Sequence, residues 1–582
     1  MTYQLLDQPC RNFNILGIER ITDPKDHREK VVLSNFAAGA TGNLILLDPS
    51  TGEGESLALP GDSGAWALLN LHDRQLLAGT CPDFGYLHAL DLARREWLPA
   101  LRDEHETYIW NLVLGADGMV YGGTYPGCVL LRYDPARHVL ENLGRVSSNA
   151  GDLYSRTVYG GLPGHLLITC GYSQPGLWLW EIASGVARPF GKPGATVKEI
   201  NPRFICTELN GQLDFYDAAT FEPLQVDLSI RLAPSQPAPR LAGSGASIQL
   251  SGERRLRVRG QEYYVEAMQE PGTLPRLNPI PTPRPPTRIH SLVADPQGRI
   301  WGSSSFGQTI FRYDPSTGDV WNSQVVCNSG GEVYGMGFAR GRLFLSAYAG
   351  GDHIVYDPRA EWNQVENQNP RTLAPVGPEL VRPAARSVIG PDGHFWTGWW
   401  ARYGQYGGGL SRVDVNTLEV ASWNDPVPGQ GLTGLASDAR YLYFITGGQA
   451  NGLPEKVEPF HFVVWSPSEG VVWQYAFTAG TRLYSIAASP ERVLMSMDGE
   501  LRVFNPQTFA FERVISLEQP CHQLTTWGED FAAFCGKKLW RVNPRNGERA
   551  FLGELPGEVG AATVIPTGIL YFSTNSSLYR WI

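Results

Sequence analysis

The sequence predicts an all-β protein built as two β-propellers of four-stranded blades, a C-terminal ring of seven blades and an N-terminal ring of six or seven. Three observations predict it. An apolar run ending in Asp and a small polar turn recurs along the whole chain, as in "LLDPSTGE" (46–53), "LRYDPARH" (131–138) and "FRYDPSTG" (311–318). Its spacing stays near 40–45 residues, the length of a propeller blade. No long window carries the 3.6-residue periodicity of a helix.

Aligned on its polar residue, the pattern passes through Asp48, Asp91, Asp134, Glu181 and Asp217, then Asp314, Asp357, Asp414, Ser466, Asn505 and Asn543. The intervals are 43, 43, 47, 36, 97, 43, 57, 52, 39 and 38 residues, and the chain ends on one more such strand, "SSLYRWI". The interval of 97 holds about two units, so a degenerate copy is expected between 218 and 313, with "LRVRGQEYYVEAM" (256–268) as its strands. About thirteen units are too many for one ring of usual size, hence two rings.

Residues 289–326 show the parts of one blade. "IHSLVADP" is the inner strand, "RIWGSSSF" the second, "QTIFRYD" the third and "VWNSQVV" the outer strand. Gly, Pro, Asp, Asn and Ser sit where the hairpins need a positive or fixed φ. The expected divisions are an N-terminal ring over 1–270, a Pro-rich extended connector over 271–286 ("PGTLPRLNPIPTPRPP") and a C-terminal ring over 287–582. A seventh N-terminal blade would draw on residues 1–30 and 226–245.

The chain has 582 residues, of which 11% are aromatic, with 65 Gly and 43 Pro, as many short strands and turns require. Its formal charge of −10, with no basic stripe, argues against a nucleic-acid partner. No run approaches the roughly 18 apolar residues of a membrane span. The first residues lack a basic segment followed by an apolar one, so a cytoplasmic location is expected, although a processed secreted form would read the same. The eight cysteines form no CxxC pair and read as free buried thiols. No metal-ligand spacing appears, so no cofactor is expected; a structural Ca²⁺ in a loop or channel is left open.

"GMVYGGTYPGCVLLRYDPARHVLENLG" (118–144) and "GRIWGSSSFGQTIFRYDPSTGDVW" (298–321) resemble repeats of streptogramin-lyase-like, regulator-type and SMP-30/NHL-like propellers, and more loosely those of propeller polysaccharide lyases. The resemblance spans nearly the whole chain but rests on scaffold residues, and scaffold does not give function. What the lyase resemblance implies is chemistry by His, Tyr and Arg at the mouth of a ring.

The Asp-Pro turns mark one face of each ring as the repetitive one. The connections after second and fourth strands lie on the other face, where long, varied loops carry function. In the C-terminal ring these loops bring Glu332, Tyr334, Tyr348, His353, Arg382, Arg386, Trp399, Trp400, Arg402, Tyr403 and Tyr406 toward one mouth. In the N-terminal ring they bring His105, Tyr108, Tyr125, Tyr154, Arg156 and Tyr172. Flat aromatic faces with Arg donors suit sugar rings bearing a carboxylate.

The sequence reading is therefore a carbohydrate-active enzyme, a lyase that cleaves a uronate-containing glycan by β-elimination. His353, Tyr334 and Tyr403 would act as base and acid, and Arg386 and Arg402 would stabilise the enolate-like charge. Trp399, Trp400, Tyr406, Tyr348, Glu332, His105, Tyr108, Tyr154 and Arg156 would bind substrate. The partner expected is an oligosaccharide or polysaccharide. The alternative is a non-catalytic double propeller that binds a protein or a glycan; the oligomeric state is not legible.

Overall fold

The recurrent aspartate is the hinge of a hairpin. Asp314 accepts the backbone N–H of Ser316 at 2.9 Å through Oδ1, and its carbonyl accepts the N–H of Gly318 at 2.8 Å. Gly318 sits at φ +80°, which a side chain would disfavour. The same side-chain bond to the residue two positions on recurs at Asp48, Asp91, Asp134, Asp217, Asp357, Asp414, Asn505 and Asn543. Asp and Asn favour this local bond, which is why the repeat tolerates either.

The structure, a computed structural model, describes residues 3–171, 175–225, 246–267, 277–327 and 332–582. Among these there is no helix, and the strands form thirteen antiparallel sheets, eleven of four strands and two of five. In chain order, blades 1–6 cover residues 14–58, 64–102, 108–145, 155–190, 196–224 and 247–279. Blades 7–12 cover 289–322, 333–372, 380–424, 431–476, 483–516 and 523–554. Blade 13 covers 561–581 and takes its outer strand from Tyr3–Asp7, which pairs with Ser577–Trp581.

Adjacent blades share apolar clusters. Blades 7 to 13 close in a full circle, the last joint joining Tyr571 and Leu578 to Ile289, Ile300 and Phe311. Blades 6, 1, 2, 3, 4 and 5 pack in that order by the same means. Residues 226–245 lie outside the described set. Burying each large aliphatic or aromatic side chain is worth about 1.5–3 kcal/mol, so these joints dominate stability. The second strands are accordingly buried along their length, as in Ile300–Ser304, while the outer strands stay half-exposed.

Two expected boundaries move. Tyr3–Asp7 belongs to the C-terminal ring, not to an N-terminal ring beginning at residue 1. Asn278–Pro279, placed by sequence in the connector, pairs with Glu262–Ala267 as the outer strand of blade 6. Residues 271–276 of the expected connector lie outside the described residues, and residues 285–287 run back beside the outgoing chain. The N–H of Asn12 bonds to the Pro285 carbonyl at 3.2 Å, and that of Thr287 to the Cys10 carbonyl at 2.9 Å. The N-terminal ring is thus an insertion between the outer strand of blade 13 and the inner strand of blade 7, entered and left through two paired crossings.

One cysteine expectation is corrected: Cys521 and Cys535 form a disulfide. The hairpin that pairs Gln523 with Phe534 brings the two together across a separation of 14 residues, which no short motif announces. The other six are buried and take no part in that disulfide.

Deleting residues 1–8 should strip blade 13 of its outer strand and of the edge contacts Tyr3 makes with Phe572 and Tyr579, at 6.2 and 5.7 Å between ring centroids. The thermal midpoint of the C-terminal ring should fall by at least roughly 2 °C, with protease cleavage appearing first within 561–582. An unchanged midpoint in differential scanning calorimetry would show that this closure is not a stabilising one.

Candidate functional site

The connections after the second and fourth strands of several blades in each ring converge on one cavity of about 550 Å³ between the two rings. That is the size of a small-molecule site. The rings are held mouth to mouth beside it by Asn14, whose Nδ2 donates to the Phe306 carbonyl at 2.8 Å, and by Phe306 itself, edge-on to Phe36 at 4.6 Å.

The N-terminal wall is aromatic. Alternation along the inner strand Tyr108–Leu114 sends Tyr108 and Trp110 to the same side, where they stack at 4.7 Å. Trp110 also meets Trp66 at 5.4 Å and Tyr154 at 5.7 Å, while Tyr125 lies on Tyr154 at 4.7 Å. The Arg156 guanidinium sits 4.2 Å from the Trp110 ring centroid. Planar groups held this way form a rigid floor for a flat ligand.

The C-terminal wall is organised by Arg382. Its Nε donates to Asn451 Oδ1 at 2.7 Å, Nη1 to the Tyr334 hydroxyl at 2.9 Å and Nη2 to the Tyr403 hydroxyl at 3.1 Å. Its plane lies 4.1 Å from the Tyr348 ring centroid, and the Tyr348 and Tyr403 hydroxyls bond to each other. Burial opposes the charge, but the surrounding phenols and Glu332 outweigh it and hold Arg382 firmly protonated. Burial likewise pushes up the Tyr334, Tyr348 and Tyr108 hydroxyls, keeping them neutral donors. Glu332 faces the same cavity. Burial raises its carboxyl above the ordinary range, against the opposing pull of Arg382 and Tyr334.

Of the residues singled out from sequence, Glu332, Tyr348, Tyr403, Tyr108, Tyr154 and Arg156 line this cavity, and Arg382 with them. Tyr334 stands directly behind, bonded to Arg382 and packed on His290 at 4.3 Å. Others lie elsewhere. His353 is fully buried between blades, with Nε2 2.8 Å from Ser411 Oγ and its ring edge-on to Phe395 and Trp399, so it cannot serve as a substrate base. Trp399 points into the same core and donates to Ser411 Oγ at 2.7 Å, because strand alternation sends only Trp400 toward Arg382.

Arg386 reaches across the ring to Gln523 Oε1 at 3.3 Å and the Gly560 carbonyl at 3.0 Å, turned into the axis and away from the cavity. Arg402 is exposed, engaged with Gln405 at 3.0 Å and Glu379 at 4.0 Å. Tyr406 donates to the Pro454 carbonyl at 2.7 Å under Lys456, and His105 is an exposed turn residue. Tyr172 lies outside the described residues. Trp66, Trp110 and Phe306 went unnoticed as site residues. The first two begin inner strands directly after fourth-to-first connections, and that position was the available signal.

No protein-family profile matches this chain. No curated protein matches it. Among solved structures, the extracellular domain of a one-component system from B. thetaiotaomicron aligns over 100% of this chain and 82% of its own, at 12% identity and a TM-score of 0.36. A catalytically inactive virginiamycin B lyase from Staphylococcus aureus, with quinupristin, aligns over 50% of this chain and 94% of its own, at 11% identity and a TM-score of 0.39.

The buried histidines set an acid limit on the fold. Burial holds His88 and His353 at about 4, below the ordinary 6.5. The unfolded chain therefore takes up protons first. Stability is complete above about pH 6.5 and falls as pH drops toward 4, by on the order of 3 kcal/mol per histidine. Replacing His353 by Gln should shrink the difference in urea-unfolding free energy between pH 7 and pH 4.5 by roughly 2 kcal/mol; an unchanged difference would contradict this.

Proposed function

We propose that the inter-ring cavity binds a short acidic oligosaccharide, a sugar ring lying on the aromatic floor with its carboxylate on Arg382. The observation that carries this reading is the bonding of Arg382. Among the described residues its three bonds go to one amide and two hydroxyls, all neutral, which leaves two of the five guanidinium N–H groups (five less three) for a ligand. A buried cation whose direct hydrogen bonds all go to neutral acceptors at the wall of a cavity suits a ligand carboxylate. A volume of about 550 Å³ suits one or two sugar rings and not a polymer threaded through.

A second reading is favoured by one further contact. The Tyr403 hydroxyl that accepts from Arg382 also bonds to Tyr348, so a base and an acid stand together beside the group that would clamp a uronate. β-Elimination would use that arrangement with Tyr403 as a phenolate: it takes the proton α to the carboxylate, the Arg-stabilised enolate expels the glycosidic oxygen, and the Tyr348 hydroxyl gives that oxygen a proton and recovers one from Tyr403 through their shared bond. With His353 sealed in the core, Tyr403 is the group beside Arg382 placed to act as this base.

Titration with uronate-terminated di- and trisaccharides, followed by calorimetry, checks the first reading. Arg382→Gln should weaken binding roughly 10- to 100-fold, the worth of a charged hydrogen bond. Equal binding by the variant would refute it. If wild type releases an ultraviolet-absorbing unsaturated product and Tyr403→Phe does not, the elimination reading holds; binding without product leaves a receptor.

A further inference from the structure

Glu332 occupies an unusual place in the cavity wall. It precedes the inner strand of blade 8, faces Arg382 across the cavity edge, and its Oε2 is buried with no hydrogen-bond partner among the described residues. A buried oxygen left in this way costs free energy, which a proton or a ligand donor would recover. The groups that act on it are Arg382, Tyr334, whose hydroxyl bonds to its carboxyl, and Tyr348 from its own ring and Tyr108 from the other. The remaining cation of the cavity is Arg156, on the opposite wall.

We propose that Glu332 and the ligand's carboxylate compete for Arg382, so that the acidic ligand enters the cavity together with a proton taken up by Glu332. This inference rests on the acidic-ligand reading above. In the empty cavity Arg382 is the positive charge that favours ionised Glu332. A bound carboxylate removes that support by occupying the guanidinium and adds a like charge beside Glu332. Two carboxylates sharing one guanidinium cannot both stay ionised cheaply in a buried site. Protonated Glu332 then becomes a donor, able to bond the second oxygen of the ligand's carboxylate or a sugar hydroxyl.

The linkage has a definite sign. Glu332 already titrates above the ordinary carboxyl range in the empty protein, because burial outweighs the pull of Arg382. Ligand raises it further, so affinity is constant below the empty-site value and falls by up to tenfold per pH unit between that value and the higher one in the complex. Tyr334, Tyr348, Tyr108, Arg382 and His290 stay in one protonation state through this window. Tyr334, Tyr348 and Tyr108 are pushed up by burial, Arg382 stays charged, and His290, behind Tyr334, is held at about 3 by burial and by Arg386, Arg382 and Arg288.

Calorimetric titration of the full chain with a uronate-terminated disaccharide, in buffers of different ionisation enthalpy from pH 5 to pH 8, measures the protons taken up. Up to one proton per ligand is expected in the window, with affinity falling as pH rises. Glu332→Gln, an isostere of the protonated state, should bind as wild type does at low pH, take up no proton and show a flat affinity profile. Proton uptake that persists in the variant, or binding by wild type with none, overturns the inference while leaving the acidic-ligand reading in place. Failure of wild type to bind any member of the panel removes both.

Discussion

The arrangement of the whole molecule depends on where the chain closes. The last blade of the C-terminal ring is completed by a strand from the other end of the chain, Tyr3–Asp7, paired with Ser577–Trp581. Once the first residues are committed to blade 13, everything from residue 14 to 279 must leave the C-terminal ring and return to it. It does so through two crossings bonded to each other at Asn12 to Pro285 and Thr287 to Cys10. Paired crossings fix more than a single linker would. They leave the N-terminal ring little freedom to turn, and Asn14, Gln261 and Phe306 add contacts at the same corner.

That constraint explains why the cavity is built from both rings. Either mouth alone would leave its aromatic and guanidinium groups more open to water. Facing one another, the aromatic floor of blades 2–4 and the guanidinium of blade 9 exclude much of the water between them. Electrostatic interactions there are strengthened, as is the cost of leaving them unmatched. The side chains behind Arg382 are arranged accordingly. Asn451, Tyr334 and Tyr403 orient its plane without cancelling its charge, and Tyr348 covers its face.

Much of the fold was legible because it is written many times. An Asp or Asn that closes its own turn leaves the same mark at each repeat, and the face on which those turns lie also names the opposite one. Even the weak copy at 256–268 supplies strands of blade 6, Arg254–Arg259 and Glu262–Ala267. What is written once was harder to see. The closing strand Tyr3–Asp7 carries no turn signature, and pairing over a separation of nearly the whole chain leaves no local trace. Site residues divide along the same line. Loops told which face to examine, but whether a side chain points to the cavity or the core is set by strand phase. Trp399 and Trp400 are neighbours in sequence and go to opposite sides; His353, one residue into its strand, goes into the core.

The distribution of polar and aromatic groups also bears on what kind of partner the protein takes. A protein-docking propeller would present a broad exposed patch on its top face, since stable protein interfaces need on the order of 800 Å² per partner. Here the top faces of the rings are turned toward each other, and the groups most able to contribute binding energy, Trp110, Tyr108, Tyr348 and Arg382, are spent on the space between them. Among the described residues, the exposed large apolar side chains are instead scattered, many of them on outer strands, such as Val186, Tyr475, Val514 and Phe551, and others on loops, such as Phe84 and Val457. On the proposed reading, a small ligand enclosed by both rings would use groups that a large partner could not reach. It is also the kind of ligand for which a single well-held cation, rather than surface area, decides affinity.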